Sequence, residues 1–148
     1  MLTDRKIAII IACYNDAGSI DQMLKRIHNV MQEVTPHYEI IYVNDASPDD
    51  AKMILSQRHL GDRHLSVITH SRNFGSQNVF ISGITHSKSD AVILMDGDLQ
   101  DPPELIPQFV RKWLEGYDVV YGIRERRKAS FFLQVAYKMF YWVYRKLS

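Results

Sequence analysis

Short apolar runs recur along this chain, and between them the apolar residues fall three or four apart. Residues 6–12, 38–43, 65–69, 91–95 and 118–121 read as strands, rich in Ile and Val and poor in charge. The stretches between them read as helices. The first carries Ile20, Met23, Leu24, Ile27, Val30 and Met31 on one face, behind Ser19 and Gln22 in the pattern of a capping box. Others are predicted over 48–59, 75–85 and 103–115, the last stopped by Gly116. Alternation of this kind, with no internal repeat and no low-complexity linker, predicts an α/β fold with a doubly wound, mostly parallel sheet. The run at 91–95 is continuous rather than alternating, which predicts a buried strand and not an edge.

In such a sheet the carboxyl ends of the strands share one rim, where ligands bind. That rim gathers Tyr14, Asn15 and Asp16, then Asn44 and Asp45, then Arg72 and Asn73, and last Asp96 and Asp98. Arg72 and Asn73 suit either contact with phosphate or capping of the third helix. If the backbone stays extended past residue 95, Asp96 and Asp98 leave on the same side, Gly97 adds no bulk, and Gln100 continues the spacing. Paired carboxylates at the mouth of a buried strand repel each other, and a divalent cation relieves that repulsion. Mg²⁺ and Mn²⁺ take oxygen ligands and are typically held by one or two carboxylates plus substrate phosphates. The competing reading is a solvated acidic loop that caps the next helix, since Asp101, Pro102 and Glu104 have the marks of a helix start.

With 148 residues, 46% hydrophobic and 24% charged, the composition is that of one soluble domain with a sizeable core. The single cysteine, Cys13, excludes an internal disulfide or a cysteine-based zinc site and suits a reducing compartment. It has no adjacent His, which disfavours a nucleophilic role. The histidines, at 28, 37, 59, 64, 70 and 86, lack ligand spacing and read as surface or loop residues. No stretch has the pattern of a signal peptide or the length of a membrane span. A nicotinamide-binding fold is disfavoured because CYNDAG stands where Gly-x-Gly-x-x-Gly would follow the first strand.

A net charge of +1 conceals an asymmetry. From Ile123 onward there are seven Lys and Arg against one Glu, a net of +6, which leaves −5 on the rest. The basic residues cluster at one end rather than along a stripe, which argues against nucleic acid as partner. In the same region, residues 129–148 combine aromatic and aliphatic side chains with Lys138, Arg145 and Lys146, predicting a basic amphipathic helix in a membrane interface. A core helix covering one face of the sheet is the alternative.

Four stretches in order carry a resemblance: ACYND at 12–16, NDASPDD at 44–50, SRNFGSQNVFISGI at 71–84 and MDGDLQDPPE at 95–104. Together they resemble the successive motifs of family 2 glycosyltransferases, and within that family the polyprenyl-phosphate sugar transferases of the dolichol-phosphate mannose synthase group. The likeness covers about residues 6–127. It implies a GT-A nucleotide-sugar-binding domain over 1–128, with 129–148 as an interfacial helix. It further implies an inverting, metal-dependent hexosyltransferase acting at the cytoplasmic face of a membrane. The donor would be a nucleotide diphosphate sugar, UDP favoured over GDP, and the acceptor undecaprenyl or dolichyl phosphate.

Carried over by position, Ala12, Tyr14, Asp16 and Asp45 would bind nucleotide, and Asp96 would bind ribose or metal. Asp98 and Gln100 would be the ligands of Mg²⁺ or Mn²⁺, and Asp96 and Asp98 would be catalytic. Arg124, Arg126 and Arg127 would hold the acceptor phosphate, which is already ionised near neutral pH and so needs cations rather than a general base. Three positions depart from the family, which usually has Pro at Ala12, Glu at Asp16 and Asp at Asn44. Members usually extend further, many with two membrane helices, so the likeness implies a truncated or a short member. A second reading is a catalytically incomplete, membrane-associated module that holds nucleotide or a partner chain; self-association is left open.

Overall fold

The computed structural model describes residues 1–123. Its elements run β1 (Ile7–Cys13), α1 (Ile20–Val34), β2 (Tyr38–Asn44), α2 (Ala51–Gly61), β3 (Leu65–Thr69), α3 (Ser76–His86), β4 (Ala91–Asp96) and α4 (Ile106–Leu114). The strands are parallel in the order β3-β2-β1-β4. Ile9 pairs in register with Ile40 on one side and Ile93 on the other. The α/β fold and the parallel sheet are as the periodicity predicts.

Alternation along β1 divides the core. Ile7, Ile9, Ile11 and Cys13 face α1, α2 and α4, whereas Ala8 and Ile10 face α3. On α1, Ile20, Met23, Leu24, Ile27, Met31 and Val34 are buried, each contributing roughly 1.5–3 kcal/mol relative to exposure. On the other face Gly83 lets α3 approach the sheet, because a Cβ there would overlap the Ile10 side chain. The chain steps outward from β1 to β3 and then returns to the far side of β1 with β4. Helices α1 and α2 cover one face and α3 the other, so the winding reverses between β1 and β4. In open α/β sheets this is where a crevice forms.

Several expectations are corrected. β4 is an edge strand among the described residues, pairing with β1 alone, and Val92 and Leu94 are 36% and 46% exposed. Among the described residues α3 packs mainly across β1 and β2 and gives that face of β4 little cover. Residues 118–121 form no strand, and Val119 and Tyr121 are exposed. The Ser19 capping pattern does not operate, and Pro102 rather than Asp101 stands at the N-cap position of the turn before α4. Ser19 caps no helix N–H with its side chain; its single hydroxyl proton is shared between the Asp16 carbonyl at 2.7 Å and the Gly97 carbonyl at 2.5 Å. Before α4 a single 3-10 turn at Pro103–Leu105 has no side-chain cap, and Glu104 pairs instead with Arg26 of α1. Gly116, at φ 103°, does end α4, with its N–H donating to the Trp113 carbonyl. The predicted helix over 129–148 lies outside the described residues. No described helix is long and apolar enough to cross a membrane.

Candidate functional site

Each strand that reaches the crevice ends in a tight turn. Asn15, Ala46 and Leu99 have φ of 62°, 53° and 64°, just beyond the ends of β1, β2 and β4. Asn tolerates this region, whereas Ala and Leu hold it at a cost of roughly 1–2 kcal/mol each. The surroundings over-determine these turns. The Asn15 N–H donates to Ser47 Oγ at 2.8 Å, and the Ser47 hydroxyl donates to Asp49 Oδ1 at 2.6 Å. The Ala17 N–H donates to Asp49 Oδ2 at 2.8 Å, and the Ser47 N–H to Asn44 Oδ1 at 2.9 Å. Burial works against ionisation of Asp49, but the donors Ser47, Ala17 and Ala51 outweigh it and hold the carboxyl below its ordinary range. The loops after β1 and β2 are thereby locked to each other.

Gly97 joins β4 to the same structure. Its N–H donates to the Ala12 carbonyl at 2.9 Å, and an added Cβ would stand 2.7 Å from that oxygen. The extended run expected through 100 is therefore a turn. β4 ends at Asp96, Asp98 Oδ1 accepts the Gln100 N–H at 2.9 Å, and Leu99 reverses the chain.

A pocket of about 310 Å³ results, lined by Ala12, Cys13, Tyr14, Asp16, Asp45, Asn73, Gly75, Ser76, Val79, Asp96, Gly97 and Asp98. It unites Ala12, Tyr14, Asp16, Asp45, Asp96 and Asp98, which the chain supplies from three separate loops. Gln100 is not among these; it lines a larger cavity of about 890 Å³ beside β4 and α4, whose walls are mainly apolar. Among the described residues that larger space is the open flank of β4, and the polar groups of the acidic pocket do not converge there. Arg124, Arg126 and Arg127 lie outside the described residues. Arg72 is not in the pocket wall and stacks over Phe74, 4.8 Å from the ring centroid.

The carboxylates of the pocket differ in their surroundings. Asp45 is 3% exposed. Its Oδ1 accepts from His70 Nδ1 at 2.7 Å and the Phe74 N–H at 2.9 Å, and its Oδ2 from the Gly75 N–H at 2.8 Å. Burial opposes its ionisation, but these donors prevail and lower its pKa. Asp16 shifts the other way: burial raises it, the Tyr14 N–H only partly offsets that, and the charges of Asp98 and Asp49 raise it further. Asp98 is exposed. Cys13 is pushed up to about 12, by burial first and then by Asp16 and Asp49, so it is a thiol in the pocket floor rather than a nucleophile.

Reading the sequence alone did not single out Gly75, Ser76 or Val79 as pocket wall, although a Gly opening a helix after a strand end was a usable signal. The histidines are also less peripheral than expected. His70 is bound to Asp45 and Ser82, and His28 bridges Tyr38 and Asp62, with Tyr38 stacked on His64 at 4.1 Å.

The sheet order, its reversal of winding and the crevice at the carboxyl ends are those of an α/β fold of the GT-A type. The pattern of Glycosyl transferase family 2 matches residues 8–147, and the chain belongs to that family. It is 39% identical over 135 residues to the uncharacterized glycosyltransferase YkcC of Bacillus subtilis, covering 90% of this chain and 42% of that protein. It is 35% identical over 136 residues to the undecaprenyl-phosphate 4-deoxy-4-formamido-L-arabinose transferase of Klebsiella pneumoniae, covering 91% and 42%. Among solved structures, the mannosyltransferase PcManGT of Pyrobaculum calidifontis, in complex with GDP-Man and Mn²⁺, superposes with a TM-score of 0.64. The match is 20% identical and covers 80% of this chain and 34% of that one. The chain thus spans less than half the length of the curated relatives it matches.

Proposed function

We propose that the pocket between β1, β2 and β4 binds a nucleotide diphosphate sugar together with a divalent cation, for transfer of the sugar to a polyprenyl phosphate. The observation that carries this reading is the meeting of Asp16, Asp96 and Asp98 in one pocket at the β1 and β4 ends. Asp16 is held above its ordinary range partly by the charge of Asp98, beside a well-formed pocket. Hard oxygen donors of this kind suit Mg²⁺ or Mn²⁺. Among the described residues no group of three His, Cys, Asp or Glu side chains could hold a metal by itself. That suits an ion whose coordination is completed by substrate phosphates. Asp96 and Asp98 are the residues that would hold it. When bound there, a cation would supply Lewis-acid stabilisation of the charge on the departing nucleotide diphosphate.

The chain's own residues would do the rest. Ala12 and Tyr14 present the β1 loop to the nucleotide, and Asp45 holds the opposite wall. Inversion requires the acceptor oxygen to approach from the side away from the nucleotide. A lipid phosphate needs cations to seat it, a role assigned to Arg124, Arg126 and Arg127 at the basic end of the chain. The acceptor class is supported by the name of the Klebsiella relative and by that basic, aromatic stretch, which would sit on the cytoplasmic side of a membrane. Thermal melts against UDP and GDP, each with and without Mn²⁺, test the pocket, because a ligand that binds only the folded state raises its melting temperature. A shift that requires both nucleotide and metal is expected, with UDP the stronger. No shift with any pair would refute the reading.

A further inference from the structure

One residue behind the pocket wall belongs to none of the roles assigned above. His70 stands just past the end of β3, with Nδ1 2.7 Å from Asp45 Oδ1 and Nε2 2.9 Å from Ser82 Oγ on α3. Its ring meets Phe74 edge-on, with centroids 5.4 Å apart and planes at 87°. The side chain is 11% exposed and does not line the pocket, so any effect on a ligand must pass through another residue. An ionised carboxylate can only accept, so the Nδ1 proton points to Asp45, and in the neutral ring Nε2 then accepts from the Ser82 hydroxyl.

We propose that His70 is a positioning residue for the nucleotide end of the pocket, tying the Asp45 carboxylate to α3. Asp45 in turn receives the N–H groups of Phe74 and Gly75, and Asn73, Gly75 and Ser76 are themselves pocket wall. The torsion that orients a carboxylate is intrinsically soft. Here its plane is set by donors from two directions, the imidazole on one side and the 74–75 backbone on the other. Without His70, Oδ1 keeps only the Phe74 N–H among these donors, and the carboxylate and the adjoining wall are freer to turn away from a bound nucleoside. This inference rests on the reading of the pocket as a nucleotide site.

Calorimetry with UDP and with GDP, each in the presence of Mn²⁺, tests it on the full chain and on His70→Leu, His70→Asn and Ser82→Ala. Asparagine places a side-chain N–H near the position of Nδ1. His70→Leu should weaken nucleotide binding about tenfold, the scale of one hydrogen bond to a charged group, and His70→Asn should recover most of that loss. Ser82→Ala should weaken binding about threefold. Mn²⁺ affinity of the nucleotide-free protein should not move, whereas a merely structural role would lower Mn²⁺ and nucleotide affinity together and in step with melting temperature. Folded His70→Leu that binds like wild type, or Leu and Asn variants equally impaired, would overturn the proposal. If His70→Leu does not fold, Ser82→Ala decides: a loss supports the role and wild-type affinity refutes it. Wild type that binds neither nucleotide overturns the reading of the pocket itself, a result distinct from all of these.

Discussion

Asp45 at the end of β2 and Asp16 just beyond the end of β1 line one pocket but have opposite electrostatic settings. Asp45 and Asp49 are supplied with donors from neighbouring loops, and their pKa values fall despite burial. Asp16 has only the Tyr14 N–H against burial, and the like charges of Asp98 and Asp49 add to the effect of burial, so its pKa rises. Asp49 is internal scaffold outside the pocket lining, and Asp45 is pocket wall whose charge is already balanced by the protein. Asp16 and Asp98 stand near enough for the charge of Asp98 to raise the Asp16 pKa, a repulsion that the proposed cation would relieve. The presence of acidic residues therefore says less about function than the count of donors around each.

The comparison breaks most sharply at Asp98. Asp98→Ala should reduce Mn²⁺-dependent nucleotide binding on the order of 100-fold or more, above the 10- to 100-fold typical of residues one step removed from a metal. Because Asp98 is exposed, its melting temperature should barely change, within about 0.5 kcal/mol of stability. Calorimetry and thermal melts read the two arms; equal loss of both would move Asp98 into the scaffold.

Gly97 joins the end of β4 to the end of β1. Gly97→Ala should lower stability by about 1–3 kcal/mol, because the methyl would meet the Ala12 carbonyl at 2.7 Å and either β4 or the β1 loop must shift. Chemical denaturation measures this. A variant as stable as wild type that still binds nucleotide would show that the Gly97 approach does not shape the pocket.

The smallest effects are in the pH dependence of stability. A carboxyl whose folded pKa is depressed contributes stability that is complete above its unfolded value, about 3.9 for Asp, and lost as pH falls through the lower folded value. Asp45 and Asp49 behave this way, so Asp45→Asn should flatten the acid limb of a denaturation series run from pH 6 to about pH 2. Asp16 has the opposite sign. Its raised folded value means that ionisation above about pH 4 costs stability, which protonation returns as pH falls through that value. Asp16→Asn should accordingly hold or raise the melting temperature at pH 7 while weakening Mn²⁺ binding. A lower melting temperature would place Asp16 with the scaffold.

Much of this was legible from local pattern. Apolar runs at 6–12, 38–43, 65–69 and 91–95 mark the four strands to within a residue or two, and the parallel winding that follows from alternation brings their polar ends to one rim. Strand ends and helix faces are encoded within a few residues of themselves, so a periodicity of two or of 3.6 suffices to read them. The fifth strand at 118–121 was misread because an apolar run becomes a strand only if a neighbour pairs with it, and no described residue does.

What the sequence alone determined, then, is the class of fold, the family and the set of carboxylates at the rim. Only the tertiary structure decided how they differ. The donors that settle Asp45 come from His70, Phe74 and Gly75, 25 to 30 residues further along, and those that settle Asp49 include Ala17, 32 residues earlier. Likewise the turn at Gly97, which sends Gln100 to the other side of β4, follows from contact with Ala12 across the sheet. Hydrogen bonds and close approaches between distant segments depend on how the layers pack, and packing leaves no local periodicity to read.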